Sequence, residues 1–265
     1  MKAWAFYDWA NSVYSLVITS TIFPIYYSII TTAYEKNEFV AETGNWVKVP
    51  VRNVINLFGK EFQPDAIYGY SLTISFLIVV LLSPILSSLA DTIGNKKSFL
   101  QFFCYLGATS CMGLAMFVNM NTVFLGLLFS ITASVGFWGS LVFYNSFLPD
   151  IATPDKQDAL SAKGYVYGYI GSVILVVICL VLIMFVAQNP KQALILTRVS
   201  FLLTGAWWFG FSQYTFKHLP KFGEVKDQLP KDLVLLNLKN IFKSHKCNGG
   251  FVEVLKDNII FYKEI

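Results

Sequence analysis

The chain reads as an all-α integral membrane protein with six transmembrane helices. Two features carry that reading. The first is composition: 55% of the 265 residues are hydrophobic and 17% aromatic, while only 14% are charged, against about 25% charged in an ordinary soluble domain. A soluble core of this size cannot hide so much apolar surface beside so few charges. This argues against a soluble enzyme, a disordered chain and a nucleic-acid binder. The second is the spacing of the charges. They leave long uncharged runs, and a hydrocarbon layer of ~30 Å needs about 20 apolar residues in a helix to cross it.

Taken in order, Trp9 to Tyr34 is uncharged, as is Ala66 to Ala90. Ser98 to Pro149 is uncharged throughout, long enough for two spans, with a polar break at Asn119-Met120-Asn121. Gly164 to Pro190 and Val199 to Phe216 complete the set, with Arg198 just before the last. The expected helices are about 10–31, 67–89, 98–118, 122–148, 164–187 and 193–216. Together they form a transmembrane unit over residues 1–216. A signal peptide does not fit the first run: Lys2 is its only preceding cation and no small-residue cleavage site follows. The runs are continuously apolar rather than alternating, which argues against a β-barrel.

Six spans place both termini on one side. That side carries Lys2, Lys96, Lys97, Lys156, Lys163 and nine lysines from Lys217 to Lys263, fourteen of the twenty basic residues. By the lysine and arginine bias it is cytoplasmic. Residues 32–65 are expected as a long outer loop, with five acidic and four basic residues. Residues 217–265 are expected as a basic cytoplasmic tail. Within it Phe251, Val254, Leu255, Asn258 and Ile259 recur at helical spacing, as in an amphipathic surface helix; a solvated linker is the competing reading. Cys104, Cys111 and Cys179 lie in apolar runs, and with Cys247 they form neither a disulfide framework nor a metal-ligand spacing. No cofactor motif and no nucleophile constellation appears, and His218 and His245 both lie in the tail.

The segment after the second span reads Ser87-Ser88-Leu89-Ala90-Asp91-Thr92-Ile93-Gly94-Asn95-Lys96-Lys97. It resembles the cytoplasmic loop motif of the major facilitator superfamily through Asp91, Gly94, Lys96 and Lys97, and departs from it at Ser87, Thr92 and Asn95. Three further runs are more distinctive: Trp4-Ala5-Phe6-Tyr7-Asp8-Trp9-Ala10-Asn11-Ser12, Phe143 to Ala152, and Ser161-Ala162-Lys163-Gly164 followed by Gly168, Tyr169, Gly171 and Ser172. Together they resemble the vacuole effluxer family, the autophagy-related branch of that superfamily, from Trp4 to about Pro220. The resemblance implies a twelve-helix transporter of two six-helix halves, of which this sequence carries the first and then a basic linker. It also implies alternating access about a midplane site, a small solute as cargo, and amino acids as the solute class of the vacuolar members. The expected partners are the lipid bilayer and either the C-terminal six-helix half or a second copy. The expected location is the cell membrane, or the vacuolar membrane in a eukaryote. The competing expectation is a non-transporting truncated protein, or a subunit of a separately encoded half.

Several residues stand out as candidates. Asp8, Asn11, Ser12, Ser15 and Thr19 place polar groups at spacings of three and four along helix 1. Such a stripe must face other helices or a water-filled path. Asp8 has two readings: a cap or gate element at the start of helix 1, or a group that handles substrate or protons. Asp91, Gly94, Lys96 and Lys97 form a candidate inner gate. Trp138, Tyr144 and Asn145 on helix 4 are read either as cavity lining or as packing, with Asn145 the sharper candidate. Gly164, Gly168 and Gly171, with Ser172, give helix 5 a small face for close helix packing. Arg198 either snorkels outward or binds an anionic group bidentately.

Overall fold

The computed structural model describes residues 1–40, 45–57, 59–93 and 95–219. Six helices among them are long and apolar enough to cross a membrane. In hydrocarbon each backbone N–H and C=O must find an internal partner, and a helix supplies them within one segment. Helix α1 spans Lys2–Ile30, α2 Pro64–Ile93, α3 Lys96–Gly113, α4 Val123–Ser146, α5 Pro154–Val181 and α6 Pro190–His218.

Two helices start earlier than the uncharged runs do. Helix α1 begins at Lys2 rather than near residue 10, and α5 begins at Pro154 rather than near 164. Charge-free length marks only the part of a helix that sits in hydrocarbon, and a helix continues past it wherever its backbone stays paired. The α5 extension carries Asp155, Lys156, Asp158 and Lys163.

The helix starts are locally encoded. Asn95 accepts from the Ser98 N–H and from the Ser98 hydroxyl at 2.8 Å. Asn119 and Thr122 form a reciprocal capping box at the short turn between α3 and α4. Asn189 accepts from the Gln192 N–H at 2.9 Å, just before Pro190. Inside α2, Pro84 has no N–H for the Val80 carbonyl, and the Ser83 hydroxyl donates to that oxygen at 3.4 Å.

Residues 32–65 differ from the expected loop by folding into two hairpins. Thr32–Val40 (β1) pairs antiparallel with Asn45–Arg52 (β2), and Ile55–Leu57 (β3) with Lys60–Phe62 (β4). The second turn uses Gly59 at φ 76°, a conformation that glycine adopts without a Cβ penalty. Tyr27 on α1 donates to the Pro64 carbonyl at 3.0 Å, and Ile55 is buried, so the β3–β4 end is anchored to the bundle.

Helix α3 packs on α4 and α6, α1 packs on α5 and α6, and α2 packs on α4. Exchanging α1 with α4, α2 with α5 and α3 with α6 maps this set of neighbours onto itself. Three spans separate equivalent helices, so equivalent helices run in opposite directions, as in an inverted repeat of two three-helix units. Helices α1, α3, α4 and α6 form the middle, with α2 and α5 at the flanks. Large apolar side chains stand exposed on the flanks, among them Leu77 and Leu81 on α2 and Tyr169 and Ile174 on α5. This is a surface for lipid or for other helices, not for water. Cys104 and Cys111 are buried filler on one face of α3.

The α3–α4 contact depends on a missing side chain. A Cβ on Gly136 would collide with the backbone of Gly107, which cannot rotate aside. Gly136→Ala is therefore expected to lower stability by about 1–3 kcal/mol, the usual cost of overpacking. Gly210, also helical, has open space around it, and Gly210→Ala is expected to be neutral or slightly stabilising. Thermal unfolding of the two variants in detergent checks the contrast.

Candidate functional site

The polar stripe on α1 is covered by α4 and α5. Asp8 lies in the second turn of α1, past the helix start, so it does not cap the N-terminus; the flanking Met1 offers no side-chain cap. The carboxyl is 7% exposed. Its Oδ2 accepts from the Tyr144 hydroxyl of α4 at 2.8 Å. Tyr144 is held in turn by Trp4, whose ring stacks on it at 4.2 Å and 7° and whose indole N–H donates to the Tyr144 carbonyl at 2.8 Å. Tyr7 leans on the other side at 5.2 Å. No cation among the described residues pairs with Asp8.

Helix α5 closes the cluster with glycine. A Cβ on Gly164 would overlap the Asp8 Oδ2 and come within 3.0 Å of the Tyr144 hydroxyl. A Cβ on Gly168 would stand 2.5 Å from the Ser12 hydroxyl, and one on Gly171 2.9 Å from the Trp9 carbonyl. The three glycines thus let the backbone of α5 lie directly on the polar stripe.

Several polar atoms in this region are buried without a partner. They include the Asn11 amide nitrogen, the Ser172 hydroxyl and the Thr19 hydroxyl, and Asn11 is fully buried. Ser12 donates to the Asn11 amide oxygen at 3.4 Å, and Ser15 to the Ser12 carbonyl at 3.0 Å. Past Ser12 the helix widens into a π-helical stretch, Tyr14–Ile22, where Ser20 and Thr21 donate to carbonyls five residues back. Such widened turns in helices concentrate at functional sites. Unpaired buried donors cost free energy unless water or a ligand meets them.

The other candidates lie apart. Asn145 follows Tyr144 but is exposed, because one helical step turns it off the face that meets α1. Trp138 packs against Phe76 and Phe137. Arg198 does not stand free: its Nε donates to the Ala115 carbonyl at 2.6 Å, in the 3-10 turn Leu114–Met116 that ends α3. Lys96 bridges to Asp150 at 3.0 Å and to the Ser146 carbonyl at 3.3 Å, at the end of α4. Lys97 donates to the Leu219 carbonyl after α6 at 2.9 Å. Asp91 lies in the last turn of α2, and Gly94 lies outside the described residues, as does the amphipathic segment around Phe251 to Ile259.

Sequence reasoning gave Trp4 and Tyr7 no role at the site and read Ser172 only as part of the packing face of α5. Trp4 stands four residues before Asp8 and so shares its face, a spacing that marks it as a neighbour. Its stacking on α4 has no counterpart in local sequence.

Tyr144→Phe removes the one side-chain donor to Asp8 among the described residues and is expected to destabilise the chain by about 1–3 kcal/mol, the cost of an unsatisfied buried acceptor. Asp8→Asn keeps an oxygen for Tyr144 to donate to and is expected to cost less. Denaturation of both variants in the same detergent gives the comparison.

Residues 1–256 match the family described as vacuole effluxer Atg22 like. The chain is 34% identical over 220 residues to the uncharacterized MFS-type transporter YxiO of Bacillus subtilis, covering 82% of this chain and 46% of YxiO. It is 27% identical over 179 residues to autophagy-related protein 22 of Coccidioides immitis, covering 59% of this chain and 29% of that protein. A third relative, autophagy-related protein 22-1 of Emericella nidulans, is 22% identical over 293 residues, covering 80% of this chain and 49% of that protein. The chain thus spans less than half the length of these relatives. No solved structure matches it. With six membrane-crossing helices and a family match over nearly its whole length, this multi-pass membrane protein belongs to the vacuole effluxer Atg22-like family.

Proposed function

We propose that the chain forms one six-helix wall of a membrane transporter that moves a small solute by alternating access. The observation that carries this reading is a carboxyl buried inside a membrane-spanning helix. Asp8 is held by one tyrosine hydroxyl and covered by glycine backbone. An ionisable group at such a place is a functional candidate by default. In this reading Asp8 takes up and releases a proton as the solute moves. Asn11, Ser15 and Ser172 then line the path beside it, and the unpaired donors of Asn11 and Ser172 meet solute or water there. The solute undergoes no covalent change.

The lysine-rich end of the bundle faces the cytoplasm. There Asp91, Gly94, Lys96 and Lys97 act as an inner gate, and Lys96 reaches Asp150 to tie α3 to the end of α4. A second set of helices forms the opposite wall, from further sequence, a separate subunit or a second copy. The relatives, a transporter and autophagy-related proteins of a vacuole effluxer family, support a cargo that crosses an organelle or cell membrane. Amino acids are the class to test first.

The test is uptake of a panel of labelled amino acids into proteoliposomes under an imposed pH gradient, with the chain alone and with the corresponding second half of a relative. Wild-type uptake above that of empty vesicles is the expected result. Asp8→Asn is expected to bring gradient-driven uptake down to the empty-vesicle level while solute binding persists. Coupled uptake that survives Asp8→Asn sinks the role given to this carboxyl.

A further inference from the structure

A cavity of about 210 Å³ opens at the lysine-rich end of the bundle, lined by Lys2, Phe6, Tyr167 and Tyr214. It sits where α1, α5 and α6 meet. Helices α5 and α6 touch each other sparsely while both pack on α1, so a groove runs between them with α1 as its floor. The mouth of the groove is cationic. Lys2 lines it, and Lys163 stands one turn before Tyr167 with its ammonium 5.9 Å from that ring. His218 meets the Tyr214 ring at 4.4 Å with a 41° tilt and donates from Nδ1 to the Tyr214 carbonyl at 2.8 Å. The two tyrosines add phenol donors, and among the described residues the lining contains no acidic side chain.

Away from the mouth the groove is aromatic. Phe6 meets Tyr214 edge-on at 4.9 Å and Phe211 at 6.2 Å. Phe211 packs on Trp207 at 4.6 Å, and Trp207 on Trp9 at 5.5 Å. The Trp207 indole N–H is spent on the Trp9 carbonyl at 3.1 Å, and the exposed part of this ladder, Phe6 and Phe211, presents ring faces only; the Trp9 indole N–H is buried beneath it. Phe211 and Tyr214 keep 38% and 46% of their surface exposed.

We propose that this groove binds an anionic phospholipid, with its phosphodiester at Lys2, Tyr167 and Tyr214 and an acyl chain along the Phe6–Phe211–Trp207 ladder. Ammonium and phenol donors fit a phosphate oxygen, and basic pockets between membrane helices recur as headgroup sites. The aromatic floor selects a lipid over a free anion, which has no apolar part to lay on it. The chain's own sequence after Leu219 carries eight lysines against six acidic residues, a small positive excess that disfavours its docking at the same mouth.

The purified chain is placed in nanodiscs of phosphatidylcholine with and without phosphatidylglycerol, then released into native mass spectrometry. One phosphatidylglycerol per chain is expected to be retained at least tenfold above phosphatidylcholine, with a higher melting temperature in the mixed discs. The double variant K2E/K163E, or the milder K2Q/K163Q, is expected to abolish the preference. Lys191→Glu, at the opposite end of α6, is expected to leave it intact. Equal retention of both lipids, or a preference that survives both double variants, overturns the proposal. So does equal stabilisation by millimolar inorganic phosphate in phosphatidylcholine discs, which would mark a free-anion site. A photo-crosslinker at position 214 that captures residues beyond 219 instead of lipid gives the groove to the tail and also overturns it.

Discussion

A carboxyl and an amide buried between apolar helices have to be covered by protein, and that requirement organises this bundle. Asp8 and Asn11 lie on one face of α1, and nothing on α1 itself can pair them both. Tyr144 reaches in from α4, and α5 presses its glycine backbone on the same face. The middle position of α1 follows from this. Its polar side is taken up by α4 and α5, and its aromatic side by α6 through Trp9 and Trp207.

The neighbour pattern adds a second level of order. Two three-helix units of opposite direction share one packing scheme, with α3 and α6 meeting at its centre. The polar cluster breaks that equivalence. It belongs to α1, α4 and α5, and the corresponding positions among α4, α1 and α2 carry no buried carboxyl among the described residues. A shared scaffold with a one-sided cluster is how a repeat gains a site without losing its packing.

Much of this was legible in the sequence, and the rest failed for identifiable reasons. The six apolar spans and the glycine face of α5 follow from charge spacing and the 3.6-residue period. Asp8 was located, but its reading as a cap rested on a helix start taken from the end of the uncharged run. The hairpin at 32–52 left a signal that was passed over: Val47, Val49 and Val51 alternate with Lys48 and Pro50, a two-residue period. Asn145 and Arg198 looked like site residues because polar groups in apolar surroundings need partners. Local sequence cannot say whether the partner is a ligand, solvent or a neighbouring helix. For Arg198 it is the Ala115 carbonyl. Trp4 became visible only once α1 and α4 were side by side.

Three helix ends share a further property. Carbonyls at or just past the C-terminal ends of α3, α4 and α6 receive Arg198 from α6 and Lys96 and Lys97 from α3. No glycine in a left-handed conformation closes any of them, since Gly59 in a hairpin is the one positive-φ glycine among the described residues. These cations sit on the negative ends of helix dipoles, so each terminus is fixed by tertiary contact instead of by the turn that follows it. The connecting segments are thereby relieved of any part in stopping the helices. Their length and composition can drift through insertion and deletion while the helix ends stay in register, which makes the turns the most evolvable part of this bundle.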